Sequence, residues 1–324
     1  METNENLAPI IIFFYNRLDH SVQTIEALKQ NEMAKDSVVF IFCDGPKANA
    51  SEEQIRKIRE VQDFAESITG FKEVTVEKAE KNRGLANSVI YGVTKIIREY
   101  GKAIIVEDDI ITHPYFLRFM NEALNFYAND ARIFTIGAFT ENIVIPVDYP
   151  HDVFLVPRVE SWGWATWADR WLSADWDINH YPALTQGEKN DRARLCLGGD
   201  DLWIMLLNQQ SGKVDSWAVR WQWNMCHQGK LCLRPRYTLV RNVGLDGTGV
   251  NCGASDTGDA MSTPYYDKPN YDIVMIGGLE ENGTISDNLR SNFANPKRPP
   301  FLTRKKRQLK HIFDKIKNFY KKSS

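Results

Sequence analysis

The sequence predicts an α/β protein with a central, mostly parallel sheet covered by helices, and three observations carry that prediction. Short runs of β-branched and aromatic residues alternate with stretches of helical apolar spacing through the first half of the chain. The 324 residues are 43% hydrophobic and 25% charged, the balance of a soluble globular protein with a sizeable core. No apolar stretch reaches the ~18 to 20 residues that a membrane-spanning helix needs.

The elements follow in order. Pro9 to Tyr15 (PIIIFFY) reads as a buried strand closed by Asn16-Arg17. Val22, Ile25 and Leu28 then recur at helical spacing behind Asp19, the expected N-cap. Val38 to Cys43 is a second strand that stops at the turn Asp44-Gly45-Pro46. Ser51 with Gln54 forms a capping-box pattern, and Ile55, Ile58, Val61 and Phe64 supply the next apolar face. Val74 to Val76 is a short third strand. After Asn82-Arg83-Gly84, residues Leu85, Val89, Val93, Ile96 and Ile97 mark a helix. Lys102 to Val106 is a fourth strand that runs straight into Glu107-Asp108-Asp109. Pro114 opens a helix carrying Phe116, Phe119, Met120, Ala123, Leu124 and Tyr127, and Arg132 to Phe139 is a further strand. All nine tryptophans lie between Trp162 and Trp223, so the second half is compositionally distinct, and from about Pro269 the pattern decays into loops.

Charge and cysteine usage narrow the function classes. From Lys297 onward eleven basic residues face one acid, Asp314, so this tail carries +10 and the remaining body −12 within a net charge of −2. An acidic body excludes nucleic acid as the expected partner. Cys43, Cys196, Cys226, Cys232 and Cys252 include no CxxC pair, which points away from a disulfide framework or zinc cluster and toward buried thiols. The acidic, polar start Met1 to Asn6 is unlike a secretory signal, so a cytoplasmic body is expected.

Ligands of open parallel sheets bind beyond the carboxyl ends of the strands. Arg17, Asp44, Arg83 and the Glu107-Asp108-Asp109 triplet all fall there. Three adjacent carboxylates after an apolar strand cost several kcal/mol unless a cation or strong donors compensate. Oxygen ligands suit Mg2+ or Mn2+, ions typically shared between one or two carboxylates and a substrate phosphate. Arginine forks at Arg17 and Arg83 match phosphate oxygens, although each also fits a surface role. In Gly198-Gly199-Asp200-Asp201-Leu202-Trp203, Asp200 and Asp201 open a helix either as caps or as a general base with its neighbour. The run from Ser161 to Trp171 holds tryptophans that serve the core or offer flat rings to a sugar; Trp162, Trp164 and Trp203 are the candidate acceptor contacts.

The order of these pieces, ending with Cys232-Leu233-Arg234-Pro235-Arg236, resembles the N-acetylglucosaminyltransferase I-like glycosyltransferases, which have the GT-A fold, and bacterial members in particular. The likeness runs from about Pro9 to Cys252. It implies that Asp109 ligates the metal, that Asp108 and Glu107 contact sugar hydroxyls, and that Asp44 reads the nucleobase. It further implies that Arg17 holds the diphosphate, Arg83 lines the nucleotide and Asp201 is the catalytic base with Asp200 beside it. Two segments depart from the family: Lys81-Asn82-Arg83 replaces a His-Tyr-Arg segment, and Val243 to Gly249 stands where a donor-closing loop is expected.

The expected protein is therefore a metal-dependent, inverting glycosyltransferase that uses a nucleoside diphosphate sugar, most simply a UDP-sugar, with Mn2+ or Mg2+. Its acceptor would be a glycan or a lipid-linked glycan in surface polysaccharide or glycoconjugate synthesis. A sugar nucleotidyltransferase and a non-catalytic carbohydrate-binding protein are the competing readings. The expected layout is a catalytic domain over 1–265 (nucleotide-binding half 1–140, acceptor-binding half 141–265), a loop-rich linker over 266–300 and a basic amphipathic tail over 301–324. In that tail Leu309, Ile312, Phe313, Ile316, Phe319 and Tyr320 form one apolar stripe among lysines, which fits either an anionic membrane surface or docking on the body.

Overall fold

In a computed structural model, residues 7–178, 189–246 and 264–294 are described. The chain folds as an α/β protein built on a central, mostly parallel sheet. Strand β1 (Ile10–Phe14) is fully buried and pairs in parallel with β2 (Val38–Cys43) on one side and β4 (Lys102–Glu107) on the other; β3 (Glu73–Lys78) adds to β2, again in parallel. An all-apolar IIIFF run suits a strand covered on both faces. The crossovers are α1 (Leu18–Lys29), α2 (Glu52–Ser67) and α3 (Leu85–Tyr100). Ser51 and Gln54 make the expected reciprocal capping box at α2. At α1 the N-cap position is Arg17 and not Asp19, which sits in the first turn. Arg17 is thereby fixed beside the end of β1, where its side chain can reach β4.

Beyond β4 the chain forms the short β5 (Ile110–Thr112), α4 (Phe116–Phe126), β6 (Ile133–Gly137), β7 (Val153–Val156) and β8 (Trp164–Trp167). It continues through α5 (Ala168–Leu172), α6 (Lys189–Leu195), α7 (Asp201–Gln210), α8 (Trp217–His227), β9 (Leu231–Pro235), β10 (Val240–Asn242) and α9 (Gly283–Asn292). The eight-stranded sheet has the order β3-β2-β1-β4-β8-β6-β9-β7, in which β8 and β7 run against the other six; β5 and β10 make a separate antiparallel pair.

Antiparallel β8 has a positional consequence. Its first residue, Trp164, lies opposite Ile105 of β4 and Gly137 of β6. The residues preceding β8 and those following β4 and β6 therefore share one rim of the sheet.

One finding narrows the sequence reading and another differs from it. Most of the tryptophans make core: Trp164, Trp171, Trp221 and Trp223 are among the largest fully buried side chains, and Trp164 stacks on Trp217 at 4.9 Å. The segment after Pro269 is also more than loops, because α9 buries Ile285 and Leu289 and the preceding Ile273 and Leu279 enter the core. Cys43, Cys196, Cys226 and Cys232 are buried thiols; Cys252 and the tail over 301–324 lie outside the described residues.

Candidate functional site

Glu107, the last residue of β4, and the next two acids occupy the rim beside β1. Arg17 reaches across with one nitrogen on Asp108, its Nε 3.2 Å from Asp108 Oδ2 and its Nη2 2.9 Å from Asp109 Oδ2. One guanidinium thus faces three carboxyls. Burial and the neighbouring charges of Asp109 and Asp108 push Glu107 up to about 8, and burial pushes Asp108 up to about 6 despite Arg17. The Trp217 indole, at the start of α8, donates to Glu107.

Two atoms are left over. Asp109 Oδ1 and Arg17 Nη1 are both buried and have no hydrogen-bond partner among the described residues. An orphaned carboxylate oxygen calls for a cation or donor, and an orphaned guanidinium nitrogen calls for an acceptor. A divalent cation with a diphosphate supplies both, so the residues present fit the implied group. Among the described residues no three acidic, histidine or cysteine side chains converge as a cage. A single carboxylate contact suits Mg2+ or Mn2+, which keep waters and phosphate oxygens as their other ligands.

The chain closes over this point. Val243 N–H donates to the Asp109 carbonyl at 2.9 Å, and a Cβ placed on Gly244 would overlap the Asp109 carboxylate, so glycine is required by contact. His20, on α1, contacts Asp246 at 3.2 Å. The part of the expected donor loop that is described, Val243 to Asp246, therefore lies against the acidic triplet.

Asp44 is tied into the turn that follows it. Its Oδ1 accepts from Gly45 N–H (2.9 Å) and Arg83 N–H (2.8 Å), and its Oδ2 accepts from Asn82 Nδ2 (2.9 Å) and Gly84 N–H (3.1 Å). Four donors fill a carboxylate's lone-pair sites. Asp44 anchors the turn before α3, where Gly84 has φ +77. Arg83 turns outward to Glu77 at 3.4 Å and stacks over Tyr91 at 4.1 Å.

A second polar cluster borders a cavity of about 200 Å3 lined by Glu141, Arg158, Glu160, Trp162, Met205 and Val219, among others. Asp201 opens α7 but is gripped by Arg158, with Nη1 at 3.1 Å from one oxygen and Nη2 at 2.9 Å from the other. Asp200 occupies the N-cap position without a side-chain cap and faces Arg290 at 3.5 Å. Arg234, fully buried, bonds Glu141 at 2.6 Å and lies 3.4 Å from Glu160. Of the candidate tryptophans, Trp162 is half-buried on the cavity wall, edge-on to Phe139. Trp164 is corrected to a core residue, since a fully buried ring offers no face to an acceptor. Trp203 carries the Arg192 guanidinium over its ring at 4.9 Å.

Sequence reasoning missed Glu141, Arg158 and Glu160, while Gly244 lay in the expected donor-closing loop. Arg234 stood in the noted Cys-Leu-Arg-Pro-Arg run, and Glu160 directly precedes the noted Ser161-Trp162 segment. Arg158 follows β7, a strand that the period-2 and turn signals did not reveal.

No family model and no curated protein matches the sequence. Among solved structures, S. aureus TarS aligns at 13% identity over 47% of this chain and 25% of its own, with a TM-score of 0.30. This chain thus spans a quarter of that protein's length. UDP-glucose pyrophosphorylase, complexed with UDP-glucose, aligns at 11% identity over 71% of this chain and 91% of its own, with a TM-score of 0.37. Likenesses this distant carry no argument about activity. Among the described residues, no helix is long and apolar enough to cross a membrane.

Proposed function

We propose that the protein is a metal-dependent, inverting glycosyltransferase whose donor is a nucleoside diphosphate sugar, with a UDP-sugar as the first to test. The observation that supports it most is the pair of buried, unsatisfied atoms, Asp109 Oδ1 and Arg17 Nη1, in the most acidic part of the sheet rim. When bound there, a divalent cation supplies charge neutralisation for the leaving diphosphate.

The chain's own residues do the rest. Asp109 offers the buried oxygen, and Arg17 offers one nitrogen to a phosphate while its others hold Asp108 and Asp109. Asp44 fixes the turn that positions Arg83 and the start of α3. Val243 and Gly244 pack against Asp109. The acceptor is read as a glycan or lipid-linked glycan, and the basic tail as an attachment to an anionic membrane surface; a chain ending at Pro300 should lose salt-sensitive binding to anionic vesicles.

The test is a screen of nucleoside diphosphate sugars for Mn2+-dependent release of the nucleoside diphosphate. Release with at least one donor, lost when Mn2+ is chelated, supports the reading. If every donor is inert and Mn2+ with UDP leaves the melting temperature unchanged, the reading is wrong.

A further inference from the structure

The cavity and the acidic triplet belong to one rim. Glu141 and Phe139 follow β6, and Glu160, Ser161 and Trp162 precede β8, whose first residue is registered to β4 and β6. The first turn of α8 joins the two places: Trp217 contacts Glu107, while Ala218 and Val219 line the cavity. A substrate seated in the cavity thus lies next to whatever the triplet holds. About 200 Å3 is room for one sugar ring. Its walls pair an indole and apolar side chains (Trp162, Leu202, Val219) with carboxyls and an amide (Glu141, Glu160, Gln222), which is the chemistry that recognises a sugar's apolar face and its hydroxyls.

The two candidate proton acceptors are not equivalent, and of them Glu160 lines the cavity while Asp201 adjoins it through Arg158. Both oxygens of Asp201 are committed to Arg158, which is itself pinned to the Gly198 carbonyl at 2.9 Å and packed over Phe293. Taking a proton there means breaking a two-pronged ion pair. Glu160 spends one oxygen on the Ser161 and Trp162 N–H groups, at 2.8 and 3.1 Å. Among the described residues its other oxygen has Arg234 Nη1 at 3.4 Å as its ion-pair partner, and that nitrogen is already bonded to Glu141.

We propose that this cavity is the acceptor-sugar subsite of the transferase read above, and that Glu160, not Asp201, accepts the proton of the attacking hydroxyl. The acceptor O–H proton passes to Glu160 Oε2 and the oxygen forms its bond to the donor's anomeric carbon. The bond from that carbon to the diphosphate breaks, and its electron pair leaves with the diphosphate. The charged and titratable groups facing Glu160 are Arg234 and the Cys232 thiol from β9 and Glu141 from the segment after β6, which Arg158 approaches in turn at 3.9 Å. Burial, against the pull of Arg234, pushes Glu160 up to about 7, which suits a base that works near neutral pH.

The inference rests on the glycosyltransferase reading, so the test separates them. The full chain is given Mn2+, a nucleotide sugar active in the donor screen, and methyl glycosides of glucose, galactose and N-acetylglucosamine as acceptor probes. Glycoside binding is read by saturation-transfer NMR without donor, and transfer by glycoside-dependent release of the nucleoside diphosphate. At least one glycoside should bind, and Met205→Trp, a bulky change at a partly exposed wall position, should abolish that binding while the Mn2+-UDP melting shift survives. Glu160→Gln should keep glycoside binding and the melting shift, cut transfer ~10² to 10⁴-fold, and remove the limb near pH 7 from the rate profile. Asp201→Asn should cost less and keep the limb. Glycoside binding that is absent, or that survives Met205→Trp, overturns the subsite. Transfer with an intact limb in Glu160→Gln but lost in Asp201→Asn overturns the assignment of the base. A missing Mn2+-UDP shift alongside intact glycoside binding would fault the donor reading instead.

Discussion

The molecule holds two clusters of acids on one rim, and they are balanced differently. At the end of β4, Glu107, Asp108 and Asp109 share one arginine, and buried polar atoms on both sides of the pair remain unsatisfied. At the cavity, Glu141, Glu160 and Asp201 meet two arginines, Arg158 and Arg234, which supply the charge that the first cluster lacks. Acids that a protein cannot neutralise with its own side chains are set up to receive a cation. Acids it has already paired hold geometry, and only the one paired most loosely, Glu160, is left to exchange a proton.

The comparison can be broken most sharply at Asp109. Asp109→Ala removes the buried, unsatisfied oxygen of the acidic triplet, so Mn2+-dependent turnover should fall by ~10³ or more, the several kcal/mol that metal stabilisation of a leaving group supplies. Full turnover in a steady-state assay would misplace the site. The paired cluster should instead respond through stability. Arg234→Met leaves Glu141 and Glu160 without their buried partner and should cost about 3 to 5 kcal/mol, read by urea unfolding.

Glu160→Gln sharpens the distinction by pH. The folded carboxyl sits near 7 and an unfolded one near 4.5, so the native state holds a proton that the unfolded state has released. Its cost to stability is absent below about pH 4.5 and fully present above about pH 7, where Glu160→Gln should gain up to about 3 kcal/mol; unfolding at pH 4.5 and pH 8 reads the difference. Smaller again, Asp44→Ala strips the turn at Asn82 to Gly84 of its acceptor and should cost about 1 to 3 kcal/mol in the same assay.

Much of the first cluster was legible because its strands are local and strongly patterned. Val38–Cys43 and the Ser51-Gln54 capping box are as the sequence reads, and the triplet falls at the end of an apolar run. The second cluster was hidden because its parts come from separate places: Glu141 after β6, Arg158 after β7, Arg234 on β9 and Phe293 at the end of α9. No local period encodes such a meeting. Trp164 shows the opposite error, in which a residue type suggestive of sugar stacking is consumed by the core, and Asp44 shows a turn carboxylate whose lone pairs the backbone takes up.

The central claim is that the underbalanced cluster receives a cation and a diphosphate together. Differential scanning fluorimetry on the wild type and on Asp109→Ala, with Mn2+, UDP and both, tests it most directly. The account predicts that the two ligands together raise the wild-type melting temperature by more than the sum of their separate shifts, and that this excess disappears in Asp109→Ala. An equal excess in both proteins, or none in the wild type, would contradict it.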